Sequence, residues 1–367
     1  MPAYDFVICG AGPVGLYAAC LLHARGHSCC VLEKDAALPP QSRAIGIHPP
    51  SLRLFAELDL ADRIIAAGYS LDQARVYVDR REITTLDFSG LNHPFPFILS
   101  LPQANLLRIL HQHLLDLGVP ILWQHEVASL SQSNTEVTVQ SVHGISISGR
   151  YLLACDGAHS SIRTFLGINW RATTYPDTYL MGDFQDQTPA GAAAAIHLGT
   201  DGLVESFPLP AGLRRWVVRQ QAPCPQAGCQ ELRAAVAQRT GHTDLGTADG
   251  EASFFRVHGC SADTLYQNRV ILLGDAAHVV SPIGGQGMNL GWLRAHKLLN
   301  DFTPGNLPEW QQTTLRFADR IRRQAVWNMR LGRPQSSPRL LACLLRLYFG
   351  PLFVASFRRR FTMTQRR

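Results

Sequence analysis

The chain has 367 residues, 46% hydrophobic and 17% charged, with no long polar or low-complexity run. That composition excludes disordered and fibrous classes and suits one large or two intimately packed globular domains. The formal net charge of +6 is unevenly spread, with 13 arginines and one aspartate in residues 316–367 and a negative balance elsewhere.

The N-terminal MPAYDFVICG enters a strand at once, without the basic region of a secretory signal. Residues 4–10 read as a buried strand. GAGPVG then supplies Gly10, Gly12 and Gly15, and LYAACLLHARG follows as a helix of small and apolar residues closed by Gly26. SCCVLEKD is a second strand ending in Glu33. A strand, this turn, a helix and an acid about twenty residues on meet the context required of a dinucleotide fingerprint. Gly10 makes the turn, Gly12 admits a pyrophosphate and Gly15 permits close helix–strand packing. Glu33 would accept hydrogen bonds from a ribose diol.

A loop from 42, SRAIGIHPP, leads into helical spacing, and residues 74–99 alternate as strands do. LPQANLLRILHQHLLDLG reads as a helix begun by Pro102 and ended by Gly118. A β-rich stretch runs from 119 to DG at 156–157. Strands then dominate 175–260 (AAAAIHLG, LVESFPLP, LRRWVVRQ, ASFFRVHG), interrupted by one helix, CQELRAAVAQRTG. The apolar RVILL precedes GDAAHVVSPIGGQGMNLG, with Asp275, Pro282, Gly284, Gly285 and Gly287, and a helix follows. A strand, a glycine-rich turn and a helix N-terminus together make a place to hold an anion.

The nine cysteines are odd in number and sit mostly in apolar runs, so buried thiols in a reducing compartment are expected. Cys224 and Cys229 lack a partner pair, and no metal site is expected. No recognition motif accompanies the basic tail, which argues against nucleic acid as a partner. RLLACLLRLYFGPLFVASFRRRF, at 339–361, is interrupted by Arg346 and Gly350–Pro351, which argues against a spanning helix. Two short amphipathic helices are expected, either as a cap or as a peripheral contact with an anionic membrane through Arg358, Arg359 and Arg360.

GAGPVG, DGAHSSIR at 156–163 and GDAAHVVSP with GGQGMN, in that order, resemble the single-component FAD-dependent aromatic hydroxylases of the para-hydroxybenzoate hydroxylase type, over roughly residues 1–330. The resemblance implies an α/β fold. A Rossmann-type FAD-binding domain (1–72, 98–173 and 268–330) would be interleaved with a smaller β-sheet substrate domain (73–97 and 174–267), followed by a helical, arginine-rich tail (331–367). It implies non-covalent FAD held by Gly10, Gly12, Pro13, Val14, Gly15, Glu33, Lys34 and Val127. Asp156 and Gly157 would serve both FAD and the nicotinamide cofactor, and Asp275 the ribityl and pyrophosphate side. Pro282 would bound one flavin face, with Gly285, Gly287, Met288 and Asn289 at the N1–C2=O edge. Arg43 and Gln103 match family positions near the flavin and the FAD linker. The sequence departs from the family after GMNLG, where Leu293 and Arg294 replace acidic residues, and it leaves no room for a thioredoxin-like extra domain.

The implied reaction uses NADH or NADPH and O2, with a C4a-hydroperoxyflavin hydroxylating an electron-rich aromatic or quinone-type substrate, small and open to lipophilic forms. Phe207, Trp216, Phe254 and Phe255 are candidates for the pocket lining, and His48, His197 and Arg215 are candidates by position for catalysis. A lipid double-bond reductase of the geranylgeranyl-reductase type and a non-turnover flavin-binding redox protein stay open. A flavin halogenase is disfavoured because Lys34 and Lys297 are poorly placed. The expected location is cytoplasmic, with attachment to the inner membrane face as the alternative.

Overall fold

The computed structural model describes residues 3–40, 44–188, 191–348 and 362–364. Arg43 and Arg358–Arg360 lie outside the described residues.

Two eight-stranded sheets organise the chain, with a three-stranded sheet beside them. The first runs Tyr266–Gln267, Val270–Leu272, Ser146–Ala154, Tyr4–Cys9, Cys29–Leu32, Ile121–Leu122, with Val127–Gln132 and Val137–Ser141 attached as antiparallel strands. Its central pairs are parallel. Parallel strands covered on both faces read as continuous apolar runs, as VIC and CCVL do. The helix Pro13–Ala24 packs on this sheet with Gln103–Asp116 and Gly287–Leu299 beside it. Contact with the last helix is tight: Trp292 Nε1 donates to the Pro13 carbonyl at 2.9 Å.

The second sheet runs His278–Val279, Ala248–Ala262, Trp170–Gln185, Leu213–Gln220, Val204–Leu209, Ala194–Leu198, Gln73–Val78, Arg81–Asp87. Its strands thus come from both sides of the central strand of the first sheet in sequence. The helix Cys229–Thr240, ended by Gly241 at φ 86°, covers one face through Leu232 and Val236. The other face looks toward the glycine-rich loops. The 25-residue helix Leu307–Leu331 packs on Gly287–Leu299 and adds Met329 to the core on that face. The helix Pro338–Tyr348 inserts Leu341 and Leu345 into the core beside strands 73–78 and 81–87, so this part of the tail caps the second sheet. Among the described residues no helix is long and apolar enough to cross a membrane.

Candidate active site

Four loops leave the carboxyl ends of neighbouring parallel strands: Gly10–Gly12 after Tyr4–Cys9, Glu33 after Cys29–Leu32, Cys155–Gly157 after Ser146–Ala154, and Leu273–Asp275 after Val270–Leu272. In an open α/β sheet this edge is where ligands bind, because the loops and helix N-termini converge there. The motifs separated by more than 250 residues in the chain are therefore neighbours in space.

Local geometry explains the glycines. Gly10 has φ 104°, and a Cβ there would run into the Cys155 carbonyl; one at Gly15 would run into the Gly10 carbonyl. Gly12 differs: its φ is −74°, and a Cβ would meet nothing within 4 Å. The space in front of Gly12 opens at the start of the helix Pro13–Ala24, which no side chain caps. Glu33 lies over the turn, accepting from the Ala11 amide at 2.6 Å and the Asp35 amide at 3.0 Å. A carboxylate has further acceptor sites for a ribose hydroxyl. Lys34 is exposed beyond it. Val127 is buried in the core of the first sheet, away from the cleft lining.

Asp156 accepts from the Ile162 amide at 3.2 Å and Ser161 Oγ at 3.4 Å, while its buried Oδ1 has no hydrogen-bond partner among the described residues. Gly157, at φ 80°, faces open space. Arg163 of the same motif joins two of the loops. It is buried, stacks on Trp170 at 3.8 Å and donates to the carbonyls of Ala158 at 2.9 Å and Ala276 at 3.1 Å. Asp275 is accessible from the cleft, yet the protein crowded around it still pushes its carboxyl up to about 6.

The turn before Gly287–Leu299 takes Gly284 to φ 97° and Gly285 to φ 65°. Asn289 secures it. Its side chain accepts from the His48 amide at 2.8 Å and donates to the Gly46 and Gly285 carbonyls at 2.9 and 2.8 Å. Asn289 is thus fully buried and its side chain is a brace, whereas Gly285, Gly287 and Met288 line the cleft. The amides of Leu101 and Gln103 donate to the carbonyls of Ile45 and Ala44, which sets Gln103 at the same mouth.

The cleft continues into a cavity of about 440 Å³, within the usual range for small-molecule sites. Gly12, Pro13, Val14, Gly157, Asp275 and Pro282 lie at one end. Apolar side chains of the second sheet, including Met181, Ile196, Phe207, Val217 and Phe255, form the other.

Strand alternation decides which second-sheet candidates reach it. Phe207 and Arg215 are cross-strand partners on the cavity face. Trp216 is therefore on the opposite face, packed against the helix Cys229–Thr240, and Phe254 goes there with it. These two are not pocket residues. His197 follows Ile196 and also points away. It stacks on Tyr77 with ring centroids 4.5 Å apart, and burial first, then the charge of His242, lowers its pKa to about 4. It cannot act in this cavity. His48 does line it, against the Gly285 turn. Arg215 lines it too, but its guanidinium forks onto Asp183 at 2.7 and 2.8 Å. A guanidinium carries only N–H donors and no acceptor, so Arg215 is placed as a donor and not as a base.

Sequence reasoning missed Glu205, which lies on the cavity face two residues before Phe207. Burial pushes its carboxyl up to about 7. The available signal was the alternation in LVESFPLP, which puts a charged residue on the same face as Phe207.

The open space at Gly12, the partnerless Asp156 oxygen and two uncapped helix starts fit a dinucleotide cofactor. The family model described as FAD binding domain matches residues 3–329. The chain belongs to this family of flavin-dependent monooxygenases. A flavin-dependent monooxygenase of Mycobacteroides abscessus is 30% identical over 337 residues, covering 82% of this chain and 71% of the relative. Para-nitrophenol 4-monooxygenase of Pseudomonas sp. strain WBC-3 is 30% identical, covering 80% and 76%. The crystal structure of p-nitrophenol 4-monooxygenase from Pseudomonas putida DLL-E4 has a TM-score of 0.85 over 99% of this chain and 98% of that one. At 24% identity it shows the shared fold. The flavoprotein spans 61 to 71% of the length of three curated relatives, rifampicin monooxygenase of Streptomyces venezuelae among them. Against this background Arg294 is an accommodated departure. It donates to Thr314 Oγ1 at 2.9 Å and Thr313 Oγ1 at 3.0 Å on the helix Leu307–Leu331, and burial lowers its pKa to about 10.

Proposed function

We propose that this flavoprotein hydroxylates a small, electron-rich aromatic substrate with O2, using NADH or NADPH as reductant and non-covalent FAD. The observation carrying this reading is one continuous cleft, with cofactor-type glycine loops at one end and an apolar wall at the other. When bound, FAD would supply the redox chemistry that couples oxidation of the nicotinamide to use of O2.

The chain's own residues have three tasks. The start of the helix Pro13–Ala24 would offer backbone N–H groups and a positive dipole end to a pyrophosphate, and Asp275 would accept from a ribityl hydroxyl. The Gly284–Met288 turn, with His48 and Pro282 beside it, would hold the isoalloxazine end of the cofactor. Met181, Ile196, Phe207, Val217 and Phe255 keep water from the reacting centre, which suppresses wasteful peroxide release. The name of one relative, para-nitrophenol 4-monooxygenase, favours a phenolic substrate.

Purified protein is expected to be yellow and to release intact FAD on denaturation. Its NAD(P)H oxidation should accelerate by about tenfold or more when a productive phenol is added. Protein that stays colourless after reconstitution with FAD would overturn the proposal. Running the assay with each nicotinamide cofactor assigns the reductant.

A further inference from the structure

We infer that Glu205 is the substrate-selecting group of the cavity: it accepts a hydrogen bond from the hydroxyl of a neutral phenol and turns away aromatic carboxylates. The inference rests on the proposed aromatic-substrate reading and adds a residue and a selection rule to it.

Two other acids on this face of the second sheet are held by arginines. Asp183 is held by Arg215, and Asp177 by Arg219 at 2.9 Å and Arg333 at 2.8 Å. Glu205 has no hydrogen bond or ion pair with the described residues, although only 9% of it is exposed. Its direct cross-strand neighbours are Ile196 and Val217, both apolar. A carboxyl in that setting either holds its proton or waits for a donor, and Glu205 lines the cavity.

The charged and titratable groups around it do not neutralise it. On its own face stand Tyr179, whose hydroxyl has no hydrogen-bond partner among the described residues, and the arginines already committed to Asp183 and Asp177. Tyr69 lies on the strand Tyr69–Leu71 packed beside it. On the far face Arg239 donates to the carbonyls of Arg219 and Leu203. Arginines that would otherwise attract an anionic substrate are therefore spent within the protein. A carboxylate ligand would meet the Glu205 charge with little water to screen it, whereas a phenol O–H would satisfy it.

The pH dependence follows from the direction of the shift. With its carboxyl raised to about 7, Glu205 is neutral and able to donate below that value, and anionic above it. Discrimination against carboxylates should grow as pH rises.

The test is isothermal titration of the FAD-loaded protein with 2-naphthol and 6-hydroxy-2-naphthoate at about pH 6 and about pH 8. At the higher pH the wild type should bind the naphthol about tenfold tighter or more, with a smaller gap at the lower pH. E205Q should bring the two within about threefold at both, because an amide can donate to a carboxylate. Equal or tighter naphthoate binding by the wild type at the higher pH, or an undiminished gap in E205Q, overturns the assignment. If E205Q does not fold, the wild-type pH dependence decides alone. Failure of both ligands to bind would bring down the aromatic-cavity reading together with it.

Discussion

Gly12→Ala is expected to leave the FAD-free fold intact while lowering FAD affinity by roughly five- to a hundredfold. Gly12 has an ordinary φ of −74°, and an added methyl group meets no protein atom within 4 Å. The substitution therefore creates no strain in the empty protein and fills only the space in front of the helix start. Overpacking of this kind costs about 1–3 kcal/mol, and here the whole cost falls on the bound state. Gly15→Ala is the contrasting case. Its methyl group would collide with the Gly10 carbonyl, so the turn itself must move and both stability and FAD binding should fall. Flavin titration and thermal melts of FAD-free protein separate the two. Wild-type affinity in Gly12→Ala would show that the cofactor does not pass this turn.

Asp177→Ala should reduce folding stability by about 3 kcal/mol at neutral pH, the largest loss anticipated for a residue outside the cleft lining. The Asp177 side chain is fully buried and receives Arg219 and Arg333, so its removal leaves Arg219 buried without its counter-charge. The pair also ties the strand Trp170–Gln185 to the segment just after the long helix Leu307–Leu331. Burial alone would raise this carboxyl, but the hydrogen bonds and charges of Arg333 and Arg219 outweigh it and hold it below the ordinary value. A depressed acid stabilises the fold fully above its unfolded pKa, near 4, and the contribution disappears as pH falls through the lower folded value. Urea unfolding at neutral pH should show the full deficit, and the difference from wild type should shrink in strong acid. A neutral-pH deficit below about 1 kcal/mol would mean that the two arginines find other partners.

The glycine loops at one end of the cleft are legible in the sequence because their demands are local. Gly10, Gly12 and Gly15 are set by a turn and a helix start, and Asp275 and Gly285 by a second strand–turn–helix unit. Each can be read within about twenty residues. The substrate end depends on pairing among distant strands. Four aromatic residues were nominated from apolar runs, but adjacent residues on a strand cannot face the same way, so Phe254 and Phe255 could not both line one wall. Which of them does depends on cross-strand register and on where the helix Cys229–Thr240 packs. Neither is written in the strand itself. The same parity sends His197 to the far face and brings Glu205 to the near one. Arg163 and Asn289 lay inside recognised motifs, but their bracing roles needed the loop-to-loop distances to become visible.

Oxygen-isotope labelling of the product tests the central claim most directly. The FAD-loaded protein is supplied with NAD(P)H, a phenol that stimulates its oxidation, and isotopically heavy O2 in ordinary water. The account predicts a hydroxylated product carrying one heavy oxygen atom, formed together with NAD(P)H consumption. A product whose new oxygen comes from water, or NAD(P)H consumption that yields only hydrogen peroxide with every phenol that binds, would contradict it.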